Sequence, residues 1–235
     1  MIACGELQGG STSPGNALVK LAQKLLPVPL AYGAADVDVV TGTETPPHII
    51  QSETFTTANP DNPDEICVAF NDSRGAAVNQ FSGVSCSTDG GLTFTRVTNG
   101  SGQGPFATTF GDPGILYNKP TQTWFTVWLD GNGSCTLGGY KSSTPEDPNS
   151  WTHFCVHSNG GDDRESGWAD NNPSSPFFGR MYISCNDFNI GAGALVESSS
   201  SATGNPWSSA ETVIHDRTFN RHKQNTGAML GKAPL

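Results

Sequence analysis

The chain has 235 residues, of which 35% are hydrophobic and 14% are charged, and its net charge at pH 7 is −10. An acidic chain of this kind offers no broad basic face to a nucleic-acid backbone. No stretch approaches the ~20 consecutive apolar residues of a membrane-spanning helix. The 28 glycines and 16 prolines favour many short elements joined by turns. We therefore expect a globular chain with neither a nucleic-acid partner nor a membrane span.

The N-terminal segment, residues 1–35, differs in texture from the rest of the chain. Its leucines at 18, 21, 25 and 26 are spaced like one stripe of a helix, which Pro27 and Pro29 then interrupt. We predict a short helix or a leader here. The first residues lack the basic and apolar regions of a signal peptide, so no signal peptide is visible.

From residue 36 onward, short β-branched and aromatic runs alternate with turn-forming residues, and the pattern repeats. The segments Ile66–Asp72, Trp124–Asp130 and Met181–Asp187 superimpose without gaps, and their terminal aspartates are 58 and 57 residues apart. A second landmark gives nearly the same period, because aromatic residues stand at positions 94, 151 and 207. Four short strands repeated at such intervals are typical of β-propeller blades.

We therefore predict an all-β propeller of four-stranded antiparallel blades over residues 36–213, followed by a non-repeating tail, 214–235. Three blades are visible, whereas propellers typically close with about four to eight. We expect an incomplete propeller that self-associates or is completed by a partner. The predicted strands of blade 1 are Thr54–Ala58, Ile66–Asn71, Gly83–Ser87 and one that starts at Thr93. Those of blade 2 are Gly114–Tyr117, Trp124–Leu129, Leu137–Ser142 and Trp151–Val156. Those of blade 3 are Met181–Asn186, Gly193–Ser198 and one after Trp207.

The turn between the third and fourth strands of blade 1 matches the Asp-box pattern Ser-x-Asp-x-Gly-x-Thr-aromatic, at Ser87, Asp89, Gly91, Thr93 and Phe94. Blades 2 and 3 carry degenerate copies in register. The chain thus resembles the sialidase-like superfamily of exo-acting glycoside hydrolases with bacterial neuraminidase repeats. The resemblance implies a carbohydrate or glycoconjugate partner, no cofactor, an extracellular or periplasmic location, and a structural role for the Asp box on an outer turn. The superfamily's aromatic-Arg-Ile-Pro motif is absent.

Propeller geometry brings together the residues just before the first strand and just after the second strand of each blade. On this rim we predict two catalytic carboxyl groups, because glycoside hydrolysis uses a pair of them. They are Asp112 and Glu165. The predicted substrate-binding residues are Asp72, Arg74, Arg164, Trp168 and Asp170.

Two structural alternatives remain open for these residues. Asp72, Asp130 and Asp187 recur at the same place in every blade, so they can instead cap the strand ends by accepting hydrogen bonds from loop N–H groups. The arginines can instead pair with carboxylates that hold their own loops together.

The sequence predicts no metal site. Residues 130–134 offer oxygens at alternating positions like the start of a calcium loop, but no glutamate follows at the required spacing. His153 and His157 share one face of a strand but lie ~13 Å apart, too far to bind one zinc ion together.

The favoured function is a sialidase-like exo-glycoside hydrolase acting on a terminal acidic sugar. The alternatives are a non-catalytic propeller that binds a glycan or a protein, and an inactive fragment. If the protein is exported, strand register makes Cys67–Cys86 and Cys135–Cys155 the expected disulfides, since facing positions on paired strands lie within disulfide range.

Overall fold

The computed structural model describes residues 37–41, 50–78, 80–98, 104–158, 160–190, 194–200, 202–209 and 211–214. The predicted helix or leader in residues 1–35 and residues 215–235 of the predicted tail lie outside this part of the chain. Within it no helix is long and apolar enough to cross a membrane, and the helical segments are short 3₁₀ turns at Ser73–Val78 and Lys119–Thr121.

The fold is an all-β propeller built of four-stranded antiparallel blades, as predicted, and three blades are described. In each blade the strands follow one another in chain order from the first to the fourth. The strands of blade 1 are β1 (Gln51–Asn59), β2 (Asn62–Asp72), β3 (Ser82–Ser87) and β4 (Thr95–Arg96). Those of blade 2 are β5 (Gly114–Asn118), β6 (Thr123–Leu129), β7 (Leu137–Ser142) and β8 (Thr152–His157). Those of blade 3 are β9 (Asp162–Ala169), β10 (Met181–Asp187), β11 (Ala194–Ser200) and β12 (Glu211–Ile214).

One predicted boundary is wrong. The prediction of Arg164, Trp168 and Asp170 as rim residues places residues 162–170 in the loop before the first strand of blade 3. Residues 162–169 are themselves that strand, β9, which pairs with β10 from Asp162↔Asp187 to Ala169↔Met181. Residues 162–169 form a strand because β10 provides their hydrogen-bonding partners, although their own β propensity does not predict one.

The first strands of the three blades lie side by side. The Thr57 hydroxyl of β1 donates a hydrogen bond of 2.7 Å to the carbonyl of Ile115 in β5. A Cβ on Gly167 of β9 would lie only 2.5 Å from Leu116 of β5, so glycine allows these two strands to approach.

Apolar side chains fill the space between neighbouring sheets, which is how propeller blades bury their faces. Between blades 1 and 2 the core is largely aromatic, with Phe106 packed 5.1 Å from Trp128 between ring centroids. Between blades 2 and 3 it contains Phe125, Met181 and Ile183, each at most 1% exposed.

Both expected disulfides are confirmed. Cys67 of β2 bonds to Cys86 of β3, and the two residues face each other in the strand register. Cys135 bonds to Cys155 of β8. Cys185 is a buried free thiol.

The Asp-box turn forms the predicted hydrogen-bonded loop. Asp89 accepts bonds from the Thr93 amide (2.9 Å) and the Thr93 hydroxyl (2.6 Å), and the Ser87 hydroxyl donates to it at 2.7 Å. The bonds from Thr93, and then that from Ser87, lower the pKa of Asp89 to about 2. Gly91 has a φ of 85°, which other residues rarely adopt.

The three sheets share two opposite faces that carry different residues. One of them, which we call the site face, is where β1, β5 and β9 begin and where β2, β6 and β10 end. The opposite face carries the turns that join the first and second strands of each blade. Those turns contact one another, as shown by Asn118, whose amide donates to the carbonyl of Gly179 at 2.8 Å. The Asp box also lies on the opposite face, since the Gly90 amide donates to the carbonyl of Asp64 near the start of β2.

Candidate active site

Three carboxyl groups meet on the site face, one from each blade. Glu53 lies at the start of β1, Asp112 just before β5, and Asp163 at the start of β9. The side chain of Asp112 is hydrogen-bonded to those of both Glu53 and Asp163. We call these three residues the carboxylate cluster. It unites groups that are 51 or more residues apart in the chain, because the first strands of the blades are adjacent.

The backbone at the cluster is unusual in the same way in each blade. Glu53, Asp112 and Arg164 have φ values of 52°, 52° and 56°. Non-glycine residues with such positive φ are uncommon and cost free energy. Strained backbone of this kind is concentrated at functional sites, so its recurrence at one point of the site face supports a functional role for the cluster.

The environment drives the pKa values of two cluster members apart. Burial, followed by the hydrogen bond and the negative charge of Glu53, raises the pKa of Asp112 to about 7. The hydrogen bond from Asp112 lowers the pKa of Glu53, with further contributions from Asn71 and the positive charge of Arg164. At pH values between the lowered pKa of Glu53 and about 7, Asp112 therefore holds a proton while Glu53 is ionised. Such a pair can supply both an acid and a base.

Asn71, at the end of β2, holds two members of the cluster in place. Its side-chain amide donates to Glu53 at 2.8 Å, and its carbonyl oxygen accepts from the backbone N–H of Asp112 at 2.9 Å. Gly111 makes room for it, since a Cβ there would lie 2.5 Å from the Asn71 oxygen and the φ of Gly111 is 90°. Asn71 is thus a positioning residue.

Glu165, the second predicted catalytic residue, lies in β9 but is buried. Neither of its carboxyl oxygens has a side-chain hydrogen-bond partner among the described residues. Burial raises its pKa well above the usual value, and the nearby charge of Asp112 adds to the effect. Burial therefore favours the neutral form of Glu165 and separates it from solvent, whereas Asp112 is partly exposed.

Asp72 and Arg74 form an internal ion-pair network rather than an open binding surface. Asp72 bonds to Arg74 at 3.2 Å and to Arg96 at 2.5 Å, and all three side chains are at most 3% exposed. Burial favours the neutral form of Asp72, but the hydrogen bonds from Arg96 and Arg74 outweigh it and lower its pKa. The contacts of Arg74 therefore agree with the structural alternative stated above, in which an arginine pairs with a carboxylate and holds its own loop together.

The predicted capping role of the strand-end aspartates is confirmed. Asp72, Asp130 and Asp187 each accept a hydrogen bond from the backbone N–H two residues later, at 3.1, 2.8 and 2.8 Å. This is the short-range turn that aspartate forms readily.

Trp168 and Asp170 do not lie on the predicted rim. Because β9 begins at Asp162, Trp168 stands near its far end, roughly 20 Å away at the usual rise of a strand. Trp168 is 46% exposed and stacks on Tyr182, with ring centroids 5.4 Å apart. Asp170 follows β9 on the opposite face, where it accepts a hydrogen bond from the Ser175 hydroxyl. The placement of both residues beside Asp112 was therefore wrong.

Arg164 and an aromatic pair complete the site face. The Arg164 side chain is 64% exposed, and its Nε lies 3.8 Å from Asp163. Its backbone N–H donates to Asp112 at 3.3 Å. Phe110, two residues before Asp112, is 45% exposed and stacks on Phe81, with centroids 6.2 Å apart. An exposed aromatic ring therefore lies in the same loop as Asp112, whereas Trp168, the aromatic residue predicted to bind substrate, lies near the other end of β9.

Sequence reasoning missed Glu53, Asp163 and Asn71 as site residues. The repeat contained the signal for the first of these: Glu53 directly precedes the predicted first strand of blade 1, as Asp112 precedes that of blade 2. Asp163 was counted as loop, and Asn71 was read as strand.

No family model and no curated protein matches the chain. Solved structures do match. A GH62 hydrolase in complex with xylotriose is 16% identical over 77% of this chain and 56% of its own length, with a TM-score of 0.49. The catalytic domain of the GH62 α-L-arabinofuranosidase from Coprinopsis cinerea is 15% identical over 75% of this chain and 54% of its own, with a TM-score of 0.47. The exo-β-1,3-galactanase 1,3Gal43A from Clostridium thermocellum is 12% identical over 70% and 36%, with a TM-score of 0.46.

The chain thus spans just over half the length of the two GH62 structures. The predicted β-propeller is confirmed by the three four-stranded antiparallel sheets, while membership of the sialidase-like family stays a prediction.

Proposed function

We propose that this chain is a glycoside hydrolase, or carries part of one, and that the carboxylate cluster on its site face performs the reaction. The observation that carries the proposal is the pair Glu53 and Asp112, two hydrogen-bonded carboxyl groups whose pKa values are shifted in opposite directions. Hydrolysis of a glycosidic bond needs one carboxylic acid and one carboxylate, about 5 Å or more apart with the bond between them. In this proposal the bound sugar therefore displaces the direct hydrogen bond between Glu53 and Asp112.

Asp112 is the general acid in this proposal. With a pKa of about 7 it is protonated in weakly acidic solution and can give its proton to the leaving oxygen. Glu53, ionised and held by Asn71, is the base or nucleophile. Asp163 is the third member, and it accepts or shares a hydrogen bond with Asp112 and so helps to set its protonation.

The charge of the cluster favours a neutral sugar. Among the described residues, the three carboxyl groups face one nearby cation, Arg164, and Arg74 is occupied by Asp72 inside the protein. A sugar carboxylate would be repelled by the ionised carboxylate of Glu53, because like charges at close range oppose binding. The finer expectation of a sialidase-like enzyme for acidic sugars therefore finds less support in these residues. The exposed ring of Phe110 is available to pack against the apolar face of a sugar.

The experiment is hydrolysis of a panel of aryl glycosides of neutral and acidic sugars by the purified chain and by Asp112→Asn and Glu53→Gln. We expect activity on a neutral sugar and a loss of about 100-fold or more in kcat/KM for each variant. The matched control is Asp61→Asn, which removes an aspartate that pairs with Lys119 on the opposite face. It should leave kcat/KM unchanged.

The leaving group distinguishes the two roles. Loss of a general acid matters least when the leaving group needs no proton, so Asp112→Asn should retain much more activity on 2,4-dinitrophenyl glycosides than on alkyl glycosides. Glu53→Gln should lose activity on both. Binding of a glycan without hydrolysis, equally strong in wild type and both variants, would instead support the non-catalytic alternative.

A further inference from the structure

The segment that leads into β5 carries the proposed acid to the site face. We call residues 107–112 the Asp112 loop; besides the carboxyl group of Asp112 it bears the exposed ring of Phe110. Asp112 meets Glu53 and Asp163 through side-chain hydrogen bonds. The position of the loop therefore decides whether the carboxylate cluster forms.

The backbone of the Asp112 loop is strained. Thr108 has a φ of 57° and Asp112 a φ of 52°. For a β-branched residue such as threonine a positive φ is a genuine outlier. A residue held in such a region costs free energy and persists only where the surrounding structure enforces it. The loop therefore needs contacts that hold it in this conformation.

Backbone groups at the end of β6 and in the turn after it provide some of these contacts. The Phe110 N–H donates to the carbonyl of Leu129 at 2.9 Å. The Gly131 N–H donates to the carbonyl of Thr108 at the same distance. At the start of the loop, the carbonyl group of Ala107 is bound by side chains instead.

Two side chains of blade 2 converge on the Ala107 carbonyl oxygen. The Asn132 amide donates to it at 2.8 Å and the Tyr140 hydroxyl at 3.0 Å. The Asn132 amide also lies 3.2 Å from the Tyr140 hydroxyl oxygen, to which it donates. The three groups thus form a closed triangle of hydrogen bonds. We call Asn132 and Tyr140 the loop clamp.

Both members of the loop clamp are themselves held by blade 2. Tyr140 is 5% exposed, and its ring packs edge-on against Phe106 in the core between blades 1 and 2. Burial raises the pKa of the Tyr140 phenol above its usual value, so the hydroxyl keeps its proton and remains a donor. The Asn132 amide donates to Asp130 at 2.8 Å, and the second oxygen of Asp130 lies 2.6 Å from His153 Nε2. Side chains locked in this way hold a site more precisely than a loop can alone.

We propose that Asn132 and Tyr140 are positioning residues, which hold the Asp112 loop in its strained conformation and so place Asp112 beside Glu53. The loop clamp acts through the backbone, because it binds the Ala107 carbonyl group five residues before Asp112. The catalytic consequence of this inference rests on the proposed function, whereas the positioning itself does not.

The test compares Asn132→Ala, Tyr140→Phe and the double variant with wild type. Phenylalanine keeps the ring in the core and removes only the hydroxyl. Without the loop clamp the loop relaxes, and Asp112 loses burial and its contact with Glu53, the leading causes of its raised pKa. The Asp112 carboxyl carbon, followed by NMR, should therefore titrate about one pH unit or more lower in the double variant than in wild type. Each single variant should show a smaller shift in the same direction.

Hydrolysis of an alkyl glycoside gives a second readout. The double variant should lose about tenfold or more in kcat, because a misplaced catalytic group is slow even when the substrate binds. A 2,4-dinitrophenyl glycoside, whose leaving group needs no proton, should be affected much less. Tyr182→Phe is the matched control, since it removes a tyrosine hydroxyl near the start of β10, at the end of that strand away from the site face. Its Asp112 titration and its kcat should equal those of wild type.

The proposal is overturned if the double variant, folded by circular dichroism, has the same Asp112 titration as wild type. A lower Tm together with an unchanged titration would likewise contradict it, because the two residues would then only stabilise blade 2. The NMR measurement needs no hydrolysis. A wild type that hydrolyses no glycoside would therefore contradict the proposed function, while a shifted Asp112 titration in the double variant would still support the loop clamp.

Discussion

The carboxyl group of Asp112 lies between two other carboxyl groups, and that position determines what it can do. Burial and Glu53 both favour its protonated form. The pKa of Glu53 is shifted in the opposite direction, because Asp112 donates a hydrogen bond to its carboxylate and the positive charge of Arg164 lies near. The two groups titrate as a pair, so their acid and base roles depend on each other.

Replacing Glu53 should therefore change the titration of Asp112. In wild type we expect a carboxyl carbon that titrates near pH 7, observed by NMR of protein labelled at the aspartate side chains. In Glu53→Gln the negative charge is gone, so the Asp112 pKa should fall below 7. An Asp112 resonance that titrates at the same pH in both proteins would show that Glu53 does not set its protonation.

Glu165 gives a second prediction at this scale. The pKa of Glu165 is higher in the folded protein than the usual 4.5 of glutamate in the unfolded chain. The neutral carboxyl group therefore makes its full contribution to the free energy of unfolding below pH 4.5, and this contribution is lost as the pH rises toward the folded-state pKa. Gln at this position cannot ionise. The Tm of wild type should thus fall more steeply than that of Glu165→Gln between pH 4.5 and pH 8. The exposed Glu211→Gln serves as the control and should follow the wild-type curve; a Glu165→Gln curve parallel to wild type would mean that the carboxyl group is not held neutral.

At the scale of elements, the sequence predicted strands where side chains alternate or where a repeat aligned them. The third strand of blade 2 has the predicted bounds, Leu137–Ser142. The first strand of blade 3 escaped detection, because its residues 162–166 are charged or polar and its ladder comes from β10. That single boundary decided which residues lie beside Asp112: Asp163, which was not predicted as a site residue, contacts it, while the predicted Trp168 and Asp170 lie at the other end of the strand.

The disulfides stabilise individual blades. Each closes a segment of about twenty residues, 19 and 20 apart in sequence, and a cross-link of that length stabilises by about 3 kcal/mol in the chain-entropy account. The double substitution Cys67→Ala with Cys86→Ala should lower the free energy of unfolding by about that amount. Urea unfolding measures it. A loss below about 0.5 kcal/mol would contradict a stabilising role for this disulfide.

At the scale of the whole molecule, three adjacent sheets give each inner boundary an apolar core. No other sheet of the described residues covers the outer face of blade 1 or of blade 3. On blade 3 that face carries the exposed ring of Trp168, which stacks on the half-buried ring of Tyr182. Propeller blades are stabilised by packing against neighbours on both sides. The repeat predicted this arrangement from sequence, whereas the carboxylate cluster depends on contacts between blades that no local pattern encodes.

We therefore predict that the chain self-associates in solution. Analytical ultracentrifugation over a range of concentrations should show species larger than a monomer. The opposite result is a monodisperse monomer whose radius of gyration is near the ~17–18 Å of a compact chain of this length, and it would mean that these outer faces are covered within one chain.

The central claim is that Asp112 acts as the proton donor of a glycoside hydrolase, and the pH dependence of kcat/KM tests it most directly. An alkyl or oligosaccharide glycoside is the right substrate, because its leaving group needs the proton. Since Asp112 must be protonated and Glu53 ionised, activity should be highest in weakly acidic solution and should decrease as pH rises through about 7. A profile that stays level from pH 5 to pH 9, or no hydrolysis at any pH, would contradict this account.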